Sequence, residues 1–232
     1  LIQKLNHSRY LIFEFELFCK KNKNIKMNRL RSLFFPSGKI HPKYTQYVGW
    51  SFVSNVLVSA ESAMSTHSML NAIDNCPDEL RTANYIGKDI IGQIGGLAYM
   101  AKMGKESDKN PHRFLFYSNI LQQFAYTSLC ATPMVSAHFL PIAGVSNIFI
   151  NISFIGFGAI NAKCIQELGI DGNIGEIYAK ISVFNTLGSS IGLLLGLSII
   201  ATIPDHSARM FIIPFLAFGR VIAFNKAVSG LI

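Results

Sequence analysis

From Phe114 to Ala162 the chain runs forty-nine residues without one Asp, Glu, Lys or Arg. As a single helix this run would be roughly 70 Å long, at about 1.5 Å per residue. A bilayer core is about 30 Å thick and is crossed by about 20 apolar residues. The run is therefore long enough for two crossings and a turn. Pro141 sits near its middle, in His138-Phe139-Leu140-Pro141. Proline lacks the amide proton that a continuing helix uses, so the break between crossings is expected there. A soluble fold would have to cover this run with protein on every side, and 232 residues hardly supply that cover.

Charged residues make up 15% of the chain, against about 25% in an ordinary soluble domain. Eighteen of its residues are glycine, which membrane helices use for close approach. A net charge of +8 would suggest nucleic acid if the chain were soluble. Here the cations gather toward one end and read as a topology signal, so no nucleic-acid partner is expected. Cys19, Cys76, Cys130 and Cys164 form no Cys-x-x-Cys pair, which argues against a zinc or redox motif.

Residues 1–43 carry ten Lys/Arg against Glu14 and Glu16. Tyr10 to Cys19 is apolar and aromatic but too short to cross a bilayer. This segment is either an interfacial helix or a basic tail ordered by a partner. The two acids are atypical of a transit peptide. The first residue is Leu1, and Met27-Asn28-Arg29-Leu30-Arg31 would make an ordinary beginning.

Six apolar stretches follow, at about 48–73, 84–100, 114–139, 141–162, 181–203 and 209–224. No strand alternation of useful length appears. The expected class is all-α, a polytopic membrane helix bundle of five or six spans, with residues 44–232 as one transmembrane domain. The connector Lys102 to Arg113 is basic, and the N-terminal segment is basic too. Two spans separate them, so both fall on one side, which the positive-inside rule makes the cytoplasm, stroma or matrix. The connector Lys163 to Lys180 should share that side, but its charge gives no support.

Gly188, Gly192 and Gly196 recur every fourth residue, which places them on one helix stripe where a second helix can approach closely. Gly92 and Gly96 repeat the spacing in the second span. Both patterns speak of packing rather than chemistry. Glu61 lies well inside the first span, where an ionised carboxylate must face protein, pair or protonate. Lys88 and Asp89 are its nearest ionisable candidates on a neighbouring span. His67 and His138 have no second ligand at metal spacing and read as hydrogen-bonded helix residues. There is no phosphate-binding loop, no His-Glu-x-x-His and no Gly-x-Ser-x-Gly elbow. Paired axial haem ligands are not evident either. No catalytic residue, metal site or cofactor is expected.

Several landmarks resemble the root UVB sensitive family of membrane proteins. Leu33-Phe34-Phe35-Pro36-Ser37-Gly38 is similar to its opening Leu-Phe-Leu-Pro-x-Gly motif. Pro42-Lys43-Tyr44-Thr45-Gln46-Tyr47-Val48-Gly49-Trp50 fits its Pro-x-Tyr-x-x-Tyr-x-x-Trp pattern. Lys88-Asp89-Ile90-Ile91-Gly92 looks like its Arg-Asp-Gly-x-Gly region without the first glycine. Asp108 to Gln123 is a looser match. Asn173 to Thr186 aligns with a run that in the family carries Asp-Gly-Ser-Gln-Glu, here Ile181-Ser182-Val183-Phe184-Asn185. Asn225 to Leu231 resembles the closing Asn-x-x-Ala-Val-x-x-Leu. The resemblance implies a helical membrane domain linked, in plants, to light and vitamin B6 responses in plastids, with no established enzymatic activity. It also implies that family members continue past this chain's last residue into a soluble region. If the lost polar positions serve a shared activity, this chain is expected to lack it.

The expected function is that of a non-catalytic structural or accessory subunit in an organellar membrane complex, with the mitochondrial inner membrane favoured over the plastid. Membrane lipids and other membrane subunits are its expected partners. The alternative is a transporter or channel for a small solute or lipid, with Glu61, Lys88 and Asp89 lining the path. The two readings differ in whether those residues face a cavity or a packed boundary.

Overall fold

A computed structural model describes residues 32, 34–74, 78–103 and 109–232. Residues 1–31 of the expected interfacial or partner-bound segment 1–43, Cys19 among them, lie outside the described residues, as do Leu33, residues 75–77 with Cys76, and residues 104–108. Every regular element among the described residues is helical. α1 runs Tyr44–Asp74 and α2 Asp78–Met103. α3 runs Pro111–Ala131, a 3-10 segment spans Thr132–His138, and α4 runs Phe139–Leu168. α5 is Ile174–Thr202 and α6 is His206–Val228. Each helix overlaps one of the six apolar stretches, but the stretch 114–139 runs past the end of α3 through the 3-10 segment to the first residue of α4.

The break in the uncharged run is not at Pro141. It lies upstream, where Val135 leaves helical geometry at φ −134° and ψ 42°. Pro141 sits in the first turn of α4, where amide protons have no intrahelical partner, so its missing proton does no harm. Other helix ends follow local chemistry. Pro111 opens α3. The Asp205 carboxylate caps α6 by accepting from the Ser207 and Ala208 amides, at 3.1 and 3.3 Å. Gly172 turns the chain between α4 and α5 at φ +72°, a conformation that costs glycine little.

The helices alternate in direction. One end of the bundle is a cluster of Tyr44, Leu115, Cys164, Leu168, Ile177 and Val228. These residues come from the starts of α1, α3 and α5 and the ends of α4 and α6. At the other end Met69, Ile73, Leu129 and Phe139 pack together. The connector between α4 and α5 therefore shares the end where α1 and α3 begin. α1 is the centre of the bundle, against α5, α6 and α3. α2 packs on α4 at the periphery. Among the described residues three helical stretches are long and apolar enough to cross a membrane: Pro111–Leu168 (which includes the 3-10 break), Ile174–Thr202 and His206–Val228.

Candidate functional site

The glycine stripe of α5 lies directly on α1. A Cβ at Gly188 would stand 3.0 Å from the Phe52 carbonyl oxygen. One at Gly196 would stand 2.6 Å from the Ala63 Cβ. One at Gly192 would collide with the Val56 carbonyl and reach 2.7 Å from the Ser59 Cβ. The two backbones thus approach within a distance no side chain on α5 would permit. Gly92 and Gly96 face α4 instead. A Cβ at Gly92 would stand 2.7 Å from the Asn147 amide, and one at Gly96 3.1 Å from the Asn151 Cβ.

Glu61 and Arg220 meet inside the bundle. Glu61 is 0% exposed and Arg220 2%, with Nε 3.5 Å from Oε2. The pair is long, and neither Glu61 oxygen has a hydrogen bond among the described residues. Arg220 Nη1 donates to the Gln122 carbonyl oxygen. Nη2 has no partner. The guanidinium also lies 5.9 Å from the centre of the Phe157 ring. Beside it is a chamber of about 240 Å³, walled by Phe154, Phe157 and Phe224 and lined with Ser54, Asn55 and Asn161. Among the described residues Arg220 is its one charged lining residue. α1 supplies the floor, and α3, α4 and α6 the walls.

Lys88 and Asp89 do not join this site. Lys88 Nζ donates to Asp89 Oδ1 at 2.6 Å, and the Asn147 amide donates to Asp89 at 2.9 Å and to the Lys88 carbonyl at 3.1 Å. The space left by Gly92 is what Asn147 occupies. The neighbour of Glu61 is thus Arg220 on α6, not Lys88 or Asp89 on α2. The reason is that α2 packs on α4 while α6 packs on the central helix. Arg220 is a cation within the apolar stretch 209–224, and nothing in its spacing points to Glu61 as its counterion.

A second buried cation, Arg209, is held by neutral acceptors. It donates to His67 Nδ1 and His206 Nδ1, both at 2.8 Å, and to the Pro204 carbonyl at 3.0 Å. Ser68 and Asn71 bond the same His206 ring, at 3.2 and 3.1 Å. Spacing alone gave no sign of this cluster, because its members come from α1, α6 and the connector before α6. His138 stands exposed at the end of the 3-10 segment.

Four of the motif segments converge at the end where α1 begins. The Ser37 amide and hydroxyl donate to Glu176, at 2.9 and 3.0 Å. Lys180 donates to the Ser32 carbonyl, and Tyr44 to the Phe34 carbonyl at 3.2 Å. Burial pushes the Tyr44 phenol up to about 12, and the Glu176 charge adds to the effect. Lys43 donates to the Ser229 and Gly230 carbonyls at 3.2 and 3.0 Å, and Gln46 to the Lys226 carbonyl at 2.8 Å. The opening, middle and closing motifs thus tie α1, α5 and α6 together at one end.

Fold and site define an all-helical protein with stretches able to cross a bilayer and an ion pair buried among its helices. The chain belongs to the family whose model is described as the vitamin B6 photo-protection and homoeostasis domain, which matches residues 20–231. It is similar to the protein root UVB sensitive 4 of Arabidopsis thaliana, with 25% identity over 189 residues, covering 80% of this chain and 36% of that one. Against root UVB sensitive 2, chloroplastic, of the same plant, identity is 25% over 175 residues, or 73% of this chain and 40% of the relative. Against root UVB sensitive 5 it is 26% over 188 residues, or 75% and 37%. The chain thus spans two fifths or less of the length of these relatives. No solved structure matches it.

Proposed function

We propose that this chain is a membrane-embedded solute-binding domain in vitamin B6 homoeostasis, acting as a carrier or channel rather than as a catalyst. One observation carries the reading. A buried guanidinium with an unpartnered nitrogen lines a polar and aromatic chamber large enough for a ring-sized solute. The family description supplies the class of solute. This ranks the transporter alternative above the accessory subunit.

All six helices are read as crossing the membrane. In support, they alternate in direction, and α2 turns Ile90, Ile94 and Leu97 outward. α1 has low hydropathy because protein, not lipid, surrounds it. Lipid is the expected partner of the outward faces. The membrane is that of an organelle, and the chloroplast named for one relative favours the plastid over the mitochondrial inner membrane. The test is uptake of pyridoxine 5′-phosphate and pyridoxine into liposomes holding the purified protein. Uptake above that of empty liposomes is expected, and its loss in Arg220→Gln protein that still elutes as a monodisperse peak ties it to the chamber. Uptake equal to that of empty liposomes, with no binding of either compound, overturns the reading.

The accessory-subunit reading draws on a different surface. Phe211, Phe215 and Phe218 of α6 are 74%, 78% and 70% exposed, an aromatic face that a second membrane protein could cover. Comigration of the detergent-solubilised protein with a large assembly on a native gel supports it. Migration near 25.7 kDa plus detergent opposes it.

A further inference from the structure

The arrangement of Glu61 and Arg220 bears on how a solute would be held, and this inference rests on the solute-binding reading. We infer that the chamber takes a small organic anion, and that Glu61 takes up a proton from water when the anion binds. Among the described residues Arg220 is the only charge lining the chamber, and its Nη2 has no partner there. A buried N–H without an acceptor is costly, and an anionic oxygen satisfies it with a charge-assisted hydrogen bond. Asn55, Asn161 and Ser54 add neutral polar contacts, while Phe154, Phe157 and Phe224 suit an apolar or ring-bearing body.

The same guanidinium is the counterion of Glu61. Their contact is 3.5 Å long and includes no hydrogen bond, so Glu61 is held loosely. An anion that engages Arg220 places two negative groups on one buried cation. Two acids in such surroundings do not both stay ionised. Once the Arg220 side chain shifts toward the chamber, its Nη2 can bond the incoming group, whereas Glu61 has no donor of its own. Glu61 is therefore the group that protonates. No covalent bond is made or broken apart from the O–H that forms on Glu61, and the added proton offsets one unit of incoming charge.

The groups that face Glu61 are few. α6 brings Arg220. α3 brings Tyr126 and Gln122, with the Tyr126 hydroxyl 3.5 Å from the Gln122 amide. α5 has no ionisable side chain beyond Lys180, and α4 has none between Phe139 and Ala162. Lys88 and Asp89 of α2 are engaged with each other and with Asn147. On α1 itself His67 is bonded to Arg209. Nothing else among the described residues competes for the role.

The test is calorimetric titration of the full chain in lipid nanodiscs with pyridoxine 5′-phosphate, in two buffers of different ionisation enthalpy. The heat difference counts the protons taken up. About pH 8 is the working point, because the phosphate is then a dianion, its second pKa being about 6. About one proton per ester bound is expected in the wild type, falling to near zero in Glu61→Gln. Uptake of one proton also makes wild-type affinity fall as pH rises, by about tenfold per pH unit above about pH 8 and less below it, a readout that needs no variant. Arg220→Gln should weaken the ester at least tenfold, the size of one charged hydrogen bond of about 1.5–3 kcal/mol, and change pyridoxine binding far less. Binding of the ester without proton uptake, or with equal uptake in Glu61→Gln, overturns the coupling and leaves the solute-binding reading standing. Failure of the wild type to bind either compound removes both.

Discussion

Arg220 and Glu61 show how one residue's meaning depends on what stands opposite it. Each alone is a charge in an apolar helix; together they form a buried pair. Removing one partner from such a pair costs about 3–5 kcal/mol, because the other is left uncompensated. Arg220→Met should therefore lower the melting temperature in detergent sharply. Glu61→Gln should lower it less, since an amide needs no counterion and can accept from Arg220. The double variant should melt above Arg220→Met alone. Scanning fluorimetry of the three proteins decides it; additive losses would mean that the two side chains do not interact.

At the scale of elements, the pairing of α5 with α1 rests on absent side chains. Overfilling a packed contact costs about 1–3 kcal/mol or more, depending on whether the obstacle can move. At Gly192 the obstacle is the Val56 carbonyl, a piece of helix backbone that cannot swing aside. Gly192→Leu should therefore prevent α5 from docking, seen as loss of a monodisperse peak in size-exclusion chromatography. Leu194 lies on the outward face at 65% exposure, so Leu194→Ala should elute as the wild type does. A normal peak from Gly192→Leu would show that α5 and α1 are not in close contact.

At the scale of the whole molecule, alternating helices put the basic connectors at one end. Lys39 precedes α1 and Lys109 precedes α3, at the same end, while Asp78 begins α2 at the other. In a background with Cys19 and Cys76 replaced by serine, Lys39→Cys and Lys109→Cys should react with an impermeant maleimide from one side of a vesicle. Asp78→Cys should react only from the other. Labelling of Lys39→Cys and Lys109→Cys from opposite sides would contradict the proposed crossings by α1 and α2.

Charge and hydropathy alone indicated a helical chain and the middle of each of the six helices among the described residues, though not where α3 ends. A backbone in hydrocarbon must satisfy its own hydrogen bonds, and the rise per residue then sets each length. The stripe of Gly188, Gly192 and Gly196 was equally legible, because a spacing of four is a statement about one helix face. What that face meets was not, since hydropathy carries no information about which helices are neighbours. Pro141 marked a break that the fold moved to Val135, because proline is harmless in a first turn. Glu61 stood out as a buried acid, yet Lys88 and Asp89, adjacent along the chain, were the wrong partners for it. Only the packing of α6 on the central α1 brought Arg220 to Glu61 and opened a chamber beside them. Tertiary structure decided the site because its members lie on helices that meet only once the bundle has assembled.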